Sequence, residues 1–78
     1  MMNKKVYIVN GSEDGLIGIY TNIKRAYEAS MCYKHGEEGE AVKSYATCCK
    51  EMREMGWCEV VDKPMQYTCT ISWRWLNQ

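Results

Sequence analysis

The side chains best equipped for chemistry are five cysteines, Cys32, Cys48, Cys49, Cys58 and Cys69, and a single histidine, His35. Cys32-x-x-His35 has the spacing of half a metal site, which the later cysteines would have to complete. No CxxC pair exists, however, and adjacent Cys48 and Cys49 point different ways on a helix. An odd thiol count, no regular framework, no secretory leader and no membrane-length apolar run favour reduced cysteines in a cytoplasmic chain. Such thiols pack as small hydrophobes. His35, just before Gly36, reads as a helix-end residue whose imidazolium suits the dipole. No nucleophile, base and orienting group share a local signature, Glu13 and Asp14 fall in a Gly-flanked turn, and neither a phosphate-loop nor a calcium-loop pattern is present. The expectation is a non-enzymatic protein without metal or cofactor.

Recognition is the other chemistry available. In "MQYTCTISWRW", Met65 to Trp75, every second residue is apolar, and the stripe ends in Trp73, Arg74 and Trp75. Trp and Arg dominate the energetics of protein interfaces, so these three are the first candidate contacts. Glu37, Glu38 and Glu40 form an acidic cluster, a second candidate suited to a basic partner surface. Ten basic and ten acidic residues cancel, so no global field draws the chain to phosphates. Single-stranded RNA binding is therefore the second reading. It would use Tyr7, Tyr20, Thr68, Thr70 and Arg74 on an outward sheet face, with tyrosines stacking on bases.

Local patterns position these residues. "KVYIV" at Lys5–Val9 and "LIGIY" at Leu16–Tyr20 are β-branched and aromatic runs joined by "NGSEDG", which reads as a hairpin. Gly18 within the second run marks a bulge or a close neighbour. Thr21 or Asn22 can cap a helix whose stripe is Ile23, Ala26, Tyr27, Ser30 and Met31, stopped by Gly36. A second helix is expected from about Glu40 to Met55, burying Ala41, Val42, Tyr45, Cys48, Cys49, Met52 and Met55, with Gly56 as its stop. "WCEVV" and Met65–Trp75 are the last strands. The fold class is α+β: one domain of 78 residues, with a four-stranded antiparallel sheet in β-β-α-α-β-β order and two helices on one face. The last strand belongs near the centre, beside the first.

Length then singles out the tryptophans. Eleven strand residues extend roughly 35 Å, whereas a helix of about sixteen covers only about 24 Å. The strand outruns its cover by about three residues, and the proline turn beside Met65 places the overhang at Trp75. Trp73 is expected to pack largely in the core.

"KVYIVNGSEDGLIGIYTNIKRAYEAS" resembles the opening of many small phage-encoded proteins: a strand, an acidic Gly turn, an "IGIY"-like strand, then a capped helix with Ala26-Tyr27-Glu28-Ala29. The likeness covers the first third of the chain and carries no binding motif. It implies a protein that acts without catalysis, by binding and inhibiting a host enzyme or bacterial defence complex, as anti-CRISPR proteins do. The expected partner is a host or defence-system protein, with a homodimer as a further possibility and no membrane partner.

Overall fold

The computed structural model describes residues 4–32 and 41–76. A hairpin of β1 (Lys4–Gly11) and β2 (Gly15–Tyr20) leads into α1 (Ile23–Cys32). A short β3 (Ala41–Val42), α2 (Tyr45–Met55), β4 (Trp57–Lys63) and β5 (Tyr67–Leu76) follow. All strands join one antiparallel sheet in the order β2-β1-β5-β4-β3. The α+β class, two helices and a central β5 beside β1 agree with the sequence expectation.

Among the described residues the sheet has five strands, a correction to the expected four. Ala41 and Val42, assigned from sequence to the second helix, instead pair with Asp62 and Val61, and the Lys43 N–H donates to the Val60 carbonyl at 2.9 Å. The helix starts only after Ser44, whose hydroxyl accepts the Thr47 N–H at 3.2 Å. Ser competes with helical backbone and favours this boundary position, and β-branched Val42 is content in a strand. Met65 is likewise not part of the last strand. It sits in the β4–β5 turn with φ 64° and full exposure, so the stripe begins at Tyr67.

Other signals hold. Asn22 caps α1, its side-chain oxygen accepting the Lys24 N–H at 2.8 Å and the Arg25 N–H at 3.3 Å. Gly56 ends α2 at φ 82°, donating its N–H to the Met52 carbonyl. The bulge expected near Gly18 is present: Val9 faces Gly18 but Asn10 faces Leu16, leaving Ile17 as the extra residue. The Gly36 stop and His35 lie outside the described residues.

Both helices cover the sheet face that carries Val9, Tyr67, Cys69 and Ile71, and the core closes with Ala26, Ser30, Cys48, Met52, Cys58, Val60 and Val61. Ser30 is tolerated there because its hydroxyl donates to the Ala26 carbonyl at 2.9 Å. The Tyr27 hydroxyl donates to the Lys43 carbonyl at 2.7 Å, tying α1 to the approach to α2.

Candidate protein-binding surface

At ten residues β5 extends roughly 33 Å, while α2, with eleven, spans only about 16 Å. The strand therefore emerges from under the helices. Alternation assigns Trp73 and Trp75 to the helix-side face, and burial falls along it, from fully buried Ile71 through half-buried Trp73 to Trp75 at 53% exposure. Trp73 packs against the core and covers the end of α2. A β-carbon on Gly56 would lie 3.3 Å from its Nε1.

The two indoles meet edge to face, ring centres 5.3 Å apart and planes at 81°. The Lys5 ammonium stands 4.5 Å from the Trp73 ring centre and 5.6 Å from that of Trp75. Register explains the contact, because Lys5 pairs with Trp75 and Tyr7 with Trp73 across β1 and β5. Each cation–π contact contributes on the order of 0.5–1 kcal/mol when exposed. The result is a pre-positioned aromatic corner, one wall in the core and the other in solvent.

Arg74 does not join it. Its side chain belongs to the opposite face, where Val6 is its neighbour on β1. The structure thus brings Trp73 and Trp75 together, separates Arg74 from them, and supplies Lys5 as the cation of the corner. Sequence reasoning missed Lys5 because nothing local to β1 announces its pairing with Trp75. The acidic candidates Glu37, Glu38 and Glu40 lie outside the described residues.

The outward face also departs from expectation. Tyr7 and Tyr20 lie on the helix side and pack against the core, so they form no platform for bases. Trp57, unflagged from sequence, occupies the outward face at 46% exposure, level with Ser72.

Burial raises the thiol pKa of Cys48, Cys58 and Cys69 above the ordinary range. Cys32 is exposed and Cys49 half-buried. Among the described residues no three His, Cys, Asp or Glu side chains converge on a metal-sized site, and no helix is long and apolar enough to cross a membrane. The Lys43 ammonium donates to a Glu51 carboxylate oxygen at 2.8 Å. This bond lowers the Glu51 pKa and raises that of Lys43. The pair ties β3's exit to the middle of α2.

Comparison with known proteins yields no match: no family model fits the chain, and no curated protein or solved structure is detectably similar to it.

Proposed function

We propose that this chain is a non-catalytic protein-binding module that engages its partner through the Trp73–Trp75 corner, with Trp75 as the anchor. One observation carries the reading: a half-exposed indole is held in a fixed orientation by a second indole and a lysine. Aromatic anchors immobilised before binding lose little conformational entropy on association, and Trp is the residue type most associated with dominant interface energy. The resemblance of the first third to small phage proteins extends the proposal to the partner's class, a host or bacterial defence protein that is inhibited or redirected on binding.

The test passes bacterial lysate, with and without nuclease treatment, over immobilised wild-type chain and over Trp75→Ala. The expected result is a discrete protein retained by the wild type and lost from the variant, with unchanged circular dichroism. Equal retention by both, or retention that vanishes on nuclease treatment, refutes the reading.

A further inference from the structure

The sheet face turned away from the helices carries several exposed apolar side chains. On it lie Leu16 at 60% exposure, Ile19 at 58%, Trp57 at 46% and Leu76 at 44%. Strand register orders these side chains into rows. Ile19 pairs with Ile8, Ile8 with Ser72, and Ser72 with Trp57, so one row crosses β2, β1, β5 and β4. The adjacent row on one side contains Val6 and Arg74, and the next contains Lys4 and Leu76. On the other side the adjacent row contains Leu16, Asn10, Thr70 and Glu59, and the next Thr68 and Asp62. The face therefore has a basic pole, an apolar belt and an acidic pole, equally spaced about the Ile8–Ser72–Trp57 row. Arg74, Glu59 and Asp62 form no salt bridge with another described residue.

We infer that this face packs against the same face of a second copy, with the two-fold axis running along the Ile19–Ile8–Ser72–Trp57 row. Rotation about that line stacks the apolar belt on itself and lays the Arg74 row over the partner's Glu59 row. Arg74 and Glu59 are then offset laterally by one strand, about 4.8 Å, within the reach of an arginine side chain. The same operation brings the Lys4 row over the Asp62 row. Isologous contacts need this self-complementarity, and face-to-face sheets bury alternate side chains from both layers.

Size and charge favour a second copy as the occupant. The longest strand, β5, runs roughly 33 Å and five strands side by side span about 24 Å, bounding a face of about 800 Å², against about 800 Å² per partner in a standard specific interface. Net charge is zero at pH 7, so no long-range repulsion opposes self-association. This surface is distinct from the Trp73–Trp75 corner, which lies on the helix side.

The test is sedimentation of the full chain from micromolar to near-millimolar concentration. The expected mass at the upper end is twice the 9.1 kDa of one chain, and Ile19→Lys, a change at an exposed site, keeps it monomeric. Arg74→Glu and Glu59→Arg each weaken the dimer by about tenfold, the loss of a close interfacial charge pair. The double reversal regains affinity because the poles have simply exchanged. A wild type monomeric throughout the range overturns the inference. So does a dimer indifferent to Ile19→Lys, or one whose single charge reversals are not rescued by the double.

Discussion

Gly56 joins helix α2 to the strand beside the indole corner, and replacing it with alanine probes both. Its φ of 82° lies in the left-handed region, which costs an L-residue about 1–2 kcal/mol. Alanine also narrows the unfolded ensemble, which offsets about 0.4–1 kcal/mol of that cost. The added β-carbon would stand 3.3 Å from Trp73 Nε1, close enough that the indole must shift by a few tenths of an ångström or remain compressed. The net expectation for Gly56→Ala is a loss of about 1–1.5 kcal/mol. For a domain of this size that lowers Tm by about 5–10 °C. Thermal and urea unfolding followed by circular dichroism and indole fluorescence would measure it. Gly56→Asn separates the two causes, because asparagine visits the left-handed region more readily but presents the same β-carbon. In a Trp73→Ala background the compression is absent, so the Gly56→Ala loss should shrink. A neutral or stabilising Gly56→Ala would refute the left-handed cap, and a loss unchanged by removing Trp73 would refute the compression against the indole.

Thiol labelling of the folded chain should modify Cys32 first and Cys49 more slowly, leaving Cys48, Cys58 and Cys69 protected until unfolding; fast reaction of all five cysteines would contradict the core assignment. The Lys43–Glu51 pair makes stability depend on acid. Since Glu51 titrates lower in the folded chain than in the unfolded one, its contribution is complete above the ordinary carboxylate pKa and is lost as pH falls through the folded value. For Lys43, raised on folding, the contribution is present below the ordinary lysine pKa and is lost as pH rises through the folded value. Glu51→Gln should lower stability modestly at neutral pH, where the pair is intact, leave strongly acid pH little changed, and so flatten the acid limb of a stability–pH curve; an unaltered acid limb would show that the pair is not maintained in solution.

Where one side chain chose between two backbone states, the sequence was legible. Asn22 offered its oxygen to two N–H groups at a helix start, Gly56 supplied a left-handed stop, and alternation from Tyr67 to Ile71 named the buried wall of β5. The helix-to-strand boundary at Ala41–Ser44 was not legible in the same way. Ala41 and Val42 fit the helical stripe leading to Tyr45 and Cys48, and pairing with distant Asp62 and Val61, together with the Ser44 cap, decides against it. Met65 continued the period-two pattern by coincidence, since periodicity alone does not show where a turn ends. At the candidate site, the exposure of Trp75 followed from comparing lengths. The identity of its cationic neighbour followed from register between β1 and β5, which no local pattern encodes.

The period of two in β5 gives its last residues separate roles. Trp73 and Trp75 face the side where α1 and α2 end, whereas Ser72, Arg74 and Leu76 face the side that neither α1 nor α2 covers. "WRW" is therefore two surfaces written in one tripeptide, with Lys5 completing the first and Glu59 complementing the second in a facing copy. The surfaces can be broken independently because they share a backbone but no side chain. Trp75→Ala removes the anchor of the corner and leaves the belt of Ile8, Ile19 and Trp57 intact. Ile19→Lys interrupts that belt two strands away from Trp75 and leaves the corner untouched. If the dimer and partner capture were one event on one surface, each variant would abolish both. If they are two events, the variants dissociate them, and a chain of 78 residues presents both faces of its central strand for binding.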